Sequence, residues 1–99
     1  MIATIQGTIV KREESGLVIA VGGIGVRVFT PRNVLENVGA VGRTSNLHTH
    51  LIVRETELTL YGFDSADDLQ LFELLLSVNG VGPKVALSIL GTLSPELLK

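Results

Sequence analysis

Residues 75–86 read LLSVNGVGPKVA, an apolar segment followed by a glycine-rich turn and the opening of a second helix. Glycine has no Cβ, so Gly80 and Gly82 can adopt positive φ and let another molecule approach the backbone. Pro83 suits the first turn of a helix, because the N–H that proline lacks has no intrahelical partner there. The pattern predicts a helix-hairpin-helix.

This hairpin has the chemistry of a phosphate-binding turn. The first N–H groups of a helix lack intrahelical acceptors and, together with the helix dipole, favour an anion. Lys84 adds a positive charge at the same end. Such contacts reach the DNA backbone and not the bases, so binding would be independent of sequence. The candidate DNA-binding residues are Asn79, Gly80, Val81, Gly82 and Lys84.

Two other interpretations of the hairpin can be compared with this one. A plain αα-hairpin, in which the glycines only form a turn, is the structural alternative. A nucleotide-binding P-loop is excluded, because the G-x-x-x-x-G-K-[ST] pattern is absent from the sequence.

Helical patterns flank the hairpin on both sides. Residues 65–68 offer the Ser65 hydroxyl as a helix cap and acids that suit the first turn. A second helix is predicted over residues 85–90, with Gly91 as its C-cap. Residues 94–96 resemble another helix start. The apolar residues of the first helix recur at helical spacing: Leu69, Phe72, Leu75 and Leu76.

The preceding residues have β character. Apolar residues alternate with others in residues 24–29 and 47–53, as in half-buried strands. Gly22-Gly23 favours a tight turn, residues 11–16 are polar, and residues 32–38 suit a short helical turn. The five predicted strands lie around Ile5 and Ile9, and over residues 17–21, 24–29, 47–53 and 58–63.

These elements predict a β + α chain. Residues 1–63 would form a five-stranded barrel of the oligonucleotide-binding (OB) type. Residues 64–99 would form the first helix-hairpin-helix unit of an incomplete helical DNA-binding domain. A small sandwich is the main structural alternative for the strands.

Composition limits the classes of function. The net charge of −2 argues against a nucleic-acid binder, so the DNA hypothesis depends on local geometry alone. The absence of cysteine excludes disulfides and cysteine-ligated metals. No signal peptide or apolar segment long enough for a bilayer is found, which predicts a cytoplasmic protein without a membrane partner.

No other pattern supports catalysis or a cofactor. His48 and His50 share a strand face, as a metal site would need, but the sequence offers no third ligand. The glycine-rich residues 22–25 join two strands and open no helix, so a hairpin turn is expected rather than a nucleotide loop. We therefore predict no cofactor and no catalytic residue.

The chain resembles the RuvA family, the Holliday-junction-binding subunits of the bacterial RuvAB branch-migration complex. Three segments carry the resemblance in order and spacing: THLIVRE (49–55), LYGF (60–63) and NGVGPK (79–84). The resemblance implies an OB barrel, two helix-hairpin-helix units and a small C-terminal domain in a longer protein. It also implies a homotetramer that binds four-way junction DNA, a RuvB-type hexameric ATPase and a RuvC-type resolvase as partners, and no enzymatic activity of its own.

The family also carries an acidic pin after its V-R pair. Glu55 matches this pattern, whereas Thr56 stands where a second acid is usual and Glu57 follows one place later. The resemblance therefore implies a pin role for Glu55. Either Glu57 is the second pin residue and supplies the missing charge, or the pin is weaker here. Arg54 would lie beside the pin and could hold a phosphate. Without the resemblance, two solvated acids at a hairpin tip would be the simpler interpretation.

Two rival functions stay open. One is an OB and helix-hairpin-helix module of a repair nuclease or ligase, which would not prefer four-way junctions. The other is an oligomerisation domain that uses the glycine hairpin only for packing.

Overall fold

The computed structural model of this chain describes residues 1–92. The helix start predicted at residues 94–96 lies outside the described residues. The elements are β1 (Thr4–Arg12), β2 (Gly16–Val21), β3 (Ile24–Phe29), α1 (Arg32–Asn37), β4 (Thr44–Val53), β5 (Leu58–Phe63), α2 (Ala66–Leu76) and α3 (Pro83–Thr92).

The five strands close into a barrel in the order β1-β2-β3-β5-β4. All neighbours are antiparallel except β3 and β5, which pair in parallel through Val28 with Leu60 and Phe29 with Tyr61. The predicted five-stranded barrel is confirmed, and the sandwich is excluded because the sheet closes on itself.

Alternation along the strands fills the barrel. Successive side chains of a strand point to opposite faces, so every second side chain enters the core of the barrel. Val34 of α1 is also fully buried in this core. The buried strand residues are Ile5, Ile9, Leu17, Ile19, Val28, Leu47 and Leu60.

A second apolar cluster joins the outside of the barrel to the helices. Tyr61 and Phe63 of β5 pack there against Phe72 of α2. Ala86 and Leu90 of α3 complete the buried part of the cluster. The outer face of β5 is therefore covered by α2 and α3.

Two predicted boundaries are wrong. The polar turn expected from Lys11 begins later, because Arg12 still pairs with Leu17 and its guanidinium donates to the backbone oxygens of Leu35 and Gly39. Gly91 is not a C-cap, since α3 continues to Thr92.

The reason for Gly91 is contact with α1. A Cβ at Gly91 would lie 3.2 Å from the Arg32 nitrogen, tighter than most side chains tolerate. Glycine thus lets the end of α3 pass close to the start of α1.

Other predictions about the elements are confirmed. The Ser65 hydroxyl accepts a hydrogen bond from the Asp68 N–H at 3.1 Å and caps α2. Gly22, at φ 63°, makes the turn between β2 and β3.

In the described part of the chain, no helix is long and apolar enough to cross a membrane.

Candidate functional site

The hairpin between α2 and α3 turns at Gly80. Its φ is 84°, a left-handed value that favours glycine, and the Val81 N–H donates to the Val78 oxygen at 3.1 Å. The positive φ predicted for Gly82 is wrong. Because the reversal is complete at Gly80, the Gly82 carbonyl already accepts the first bond of α3, from Ala86 N–H at 2.9 Å.

At Gly82 the missing side chain leaves open space, whereas the backbone conformation there does not require glycine. A Cβ built there would meet no described atom within 4 Å. The position is exposed, as are Asn79, Gly80 and Lys84, while Val81 is half-buried and packs against the second apolar cluster. The hairpin backbone is therefore open to another molecule.

Three N–H groups lie at this opening. Among residues 1–92, those of Gly82, Lys84 and Val85 have no hydrogen-bond partner. Pro83 lacks an N–H, so it leaves no further donor to satisfy. The exposed Lys84 ammonium adds a full positive charge beside the three donors. This arrangement is suited to a phosphate or another anion.

A second candidate feature is the loop at the tip of β4 and β5, residues 54–57, here called the acidic loop. Its backbone is closed by a hydrogen bond from the Arg54 N–H to the Glu57 oxygen at 2.9 Å. Val53 and Leu58 form the last cross-strand pair before it. All four residues of the acidic loop are exposed.

The two carboxylates of the acidic loop differ in their surroundings. Arg54 Nε lies 3.9 Å from Glu57 Oε1, so Glu57 is partly neutralised. For Glu55, no cation of residues 1–92 lies within ion-pair distance. Burial raises the pKa of the Tyr61 phenol above its ordinary value. Of the charges of the acidic loop, Arg54 lowers this pKa and Glu57 raises it.

An open groove of about 1010 Å³ connects the two features. It runs between the barrel and α3, and both Lys84 and Glu57 contribute to its lining. Arg32 adds a second cation to its walls. Lys84 and Glu57 therefore face a common space, although they are 27 positions apart in sequence.

The surroundings of the two histidines can be compared with the needs of a metal site. Among residues 1–92, no group of three or more His, Cys, Asp or Glu side chains could hold a metal ion. His50 Nδ1 instead lies 2.8 Å from Glu73 Oε2 on α2, and its ring meets Phe72 edge-on. Sequence reasoning missed this contact, because nothing in the pattern relates two residues 23 positions apart.

Together these observations define the class of protein. It is a small OB-type barrel that carries a helical hairpin with an exposed, donor-rich backbone turn.

Comparison with known proteins identifies the family. Residues 1–62 match the family described as RuvA N terminal domain. The chain is 48% identical over 99 residues to the "Holliday junction branch migration complex subunit RuvA" of Herpetosiphon aurantiacus, covering all of this chain and 50% of that protein. The proteins of the same name from Ruminiclostridium cellulolyticum and Thermus thermophilus are 44% and 46% identical over 97% and 99% of the chain.

The chain therefore belongs to the RuvA family. It spans about half the length of the curated relatives it matches, from 48% to 51% in these three.

Proposed function

We propose that this chain is the junction-binding part of a RuvA subunit, which holds four-way DNA by its backbone and has no catalytic activity itself. The observation that carries the proposal is the open hairpin at Gly82. Its three N–H donors have no partner among residues 1–92, and Lys84 lines the groove shared with Glu57. In this proposal residues 1–63 are the barrel unit and residues 64–99 the first helix-hairpin-helix unit.

The hairpin would bind a phosphate of one DNA strand. Its N–H groups and Lys84 neutralise a phosphate without contacting a base, so affinity would depend strongly on salt and little on sequence. Asn79, Gly80 and Val81 would form the approach to the phosphate on the side of α2. Arg54 would add a phosphate contact at the acidic loop.

The acidic loop would select the shape of the DNA. Carboxylates repel phosphates, so a loop carrying Glu55 is tolerated best where the strands diverge and leave an opening. An open four-way junction offers such an opening at its centre, whereas a continuous duplex does not. Glu57 would contribute less to this selection, because Arg54 faces its carboxylate.

Assembly and partners follow from the family's role. One hairpin offers few phosphate contacts, and four linked copies on one junction would raise the effective affinity greatly. We propose a homotetramer that loads a RuvB-type hexameric ATPase and works with a RuvC-type resolvase in recombination and repair. This work would take place in the cytoplasm, where bacterial DNA lies.

The test of this function compares DNA shapes. The chain should bind a four-way junction more tightly than duplex of equal length, measured at low salt where a few phosphate contacts suffice. Lys84→Ala should weaken binding to all sequences alike and lower the salt slope by about one unit. Lys11→Ala is the matched control, since it removes the same charge from β1.

Two results would contradict this assignment. Equal affinity for junction and duplex would favour the nuclease or ligase module. An unchanged affinity and salt slope in Lys84→Ala would leave the hairpin as a packing turn only.

A second prediction concerns the acidic loop. Glu55→Gln should bind duplex about three- to fivefold more tightly and discriminate less between duplex and junction, because it removes an unpaired charge near phosphates. Glu57→Gln should cost less discrimination, because Arg54 already offsets part of the Glu57 charge. Thr56→Asp should sharpen discrimination by adding an unpaired carboxylate.

Junction and duplex affinities of the three variants, measured side by side, check this order. Unchanged discrimination in both Glu→Gln variants would reduce the acidic loop to an ordinary solvated hairpin tip.

A further inference from the structure

One polar contact links the strand that carries the acidic loop to the helix that leads into the hairpin. His50 on β4 lies four residues before Arg54, and Glu73 lies on the last turns of α2. Their side chains meet at 2.8 Å between Nδ1 and Oε2. Since an ionised carboxylate only accepts, the ring N–H donates in this bond.

The apolar packing of α2 leaves a role for such a contact. Phe72 is the one residue of α2 that is fully buried, in ring contact with Tyr61 at 5.3 Å and Phe63 at 4.8 Å. Leu69, Leu71, Leu75 and Leu76 of α2 pack half-buried against the same cluster. Apolar contacts are not directional, so they define the roll of the helix about its axis less closely than a hydrogen bond does. Glu73 is the next residue, and its bond to His50 fixes the direction of that roll.

The neighbouring helix is held differently. The end of α3 packs against the backbone of α1 at Gly91, and α3 buries both Ala86 and Leu90. Contacts at several places along α3 constrain it without a polar bond to the barrel strands. Of the two helices that carry the hairpin, only α2 therefore has a side-chain hydrogen bond to a barrel strand within residues 1–92.

We propose that His50 and Glu73 are positioning residues that hold the hairpin at a fixed separation from the acidic loop. The pair touches no DNA in this proposal and acts through α2. Its consequence for junction selection rests on the proposed function. Selection by repulsion requires that Glu55 and Lys84 meet the same DNA at a set spacing, and a rolling α2 would blur that spacing.

The separation can be measured directly, because the chain contains no cysteine. Thr56→Cys and Ser77→Cys place spin labels on the exposed acidic loop and on the exposed end of α2. Distance distributions between the two labels are then recorded by pulsed electron paramagnetic resonance in the absence of DNA. We expect broader distributions in His50→Ala and Glu73→Ala than in the doubly labelled parent.

Two variants separate positioning from general destabilisation. Glu73→Gln keeps an acceptor oxygen for the His50 N–H and should restore the narrow distribution. Glu13→Gln removes an ion pair of similar exposure, to Arg27 at 2.6 Å, that joins parts of the barrel only, and it should leave the distribution unchanged. Unchanged widths in both Ala variants, or broadening in Glu13→Gln, would overturn the proposal.

DNA binding by the same variants tests whether His50 and Glu73 contribute to the selection of junction over duplex. His50→Ala and Glu73→Ala should lower the ratio of junction to duplex affinity about two- to fivefold, the size of one partly exposed polar contact. A ratio equal to that of the parent would overturn the role in selection. If the parent itself shows no junction preference, the proposed function fails, whereas the distance measurement still decides the positioning role.

Discussion

Phe72→Ala should lower the free energy of unfolding by about 3–5 kcal/mol, the usual cost of deleting a large buried aromatic side chain. Phe72 is fully buried between the barrel and the helices, and its ring contacts Tyr61, Phe63 and His50. The substitution would leave a cavity where α2 meets β5. It therefore removes both apolar burial and the aromatic contacts that the ring makes.

Urea unfolding of the two proteins measures the effect. Leu74→Ala is the matched control, because Leu74 lies on the same helix with 63% of its surface exposed, and it should cost less than about 0.5 kcal/mol. Hydrogen exchange should show faster opening of α2 and α3 than of β1 to β3, whose core is separate. Similar losses in Phe72→Ala and Leu74→Ala would contradict the assigned packing.

Gly82→Val should lower DNA affinity about ten- to a hundredfold, since it places a branched side chain in front of N–H groups whose bonds to a charged oxygen contribute roughly 1.5–3 kcal/mol each. Its effect on stability should stay below about 1 kcal/mol, because the site is open, has no positive φ, and only the helix cap is changed. Affinity and urea unfolding, measured on the same preparation, separate the two effects.

Gly80→Val is the matched comparison, two residues away on the same hairpin. At φ 84° a β-branched residue is strained, so this variant should lose at least about 1–2 kcal/mol of stability. Gly82→Val should therefore lower mainly the DNA affinity, and Gly80→Val mainly the stability of the fold. Full DNA affinity in Gly82→Val would show that no phosphate approaches the hairpin there.

Much of the fold could be predicted, because local rules and tertiary packing agree over most of the chain. Alternation in residues 24–29 and 47–53 indicated strands, and the Ser65 hydroxyl with the acids after it indicated the start of α2. The hairpin turn is also encoded locally. The sharp reversal between α2 and α3 uses a left-handed φ at Gly80, which glycine adopts without strain.

The errors arose where distant contacts decide. Gly91 resembles a helix terminus in sequence, yet its role is to let α3 approach Arg32. Gly82 resembles Gly80, but only one of the two needs a positive φ to make the turn. His50 could be placed on a strand face, whereas its partner Glu73 could not be identified, because the approach of α2 to β4 is a property of the folded chain.

The candidate site was predicted in its parts and not in its arrangement. The hairpin residues were named from a local motif and Glu55 from the family resemblance, and their DNA-binding roles stay predictions. The pairing of Arg54 with Glu57 was not predicted, and its effect on which acid repels phosphate needed the geometry. The groove shared by Lys84 and Glu57 depends on how α3 crosses the barrel.

The parallel seam between β3 and β5 has a consequence for how the chain is made. Only two residue pairs join these strands, and their members are 32 positions apart along the chain. A ribosome must therefore complete β5 before the seam can close, and until then β3 presents an unpaired edge. Contacts so distant in sequence slow folding, because a long loop must be ordered first. The interval during which β3 waits for β5 is thus a stage of synthesis at which this protein is exposed to misassembly with other nascent chains.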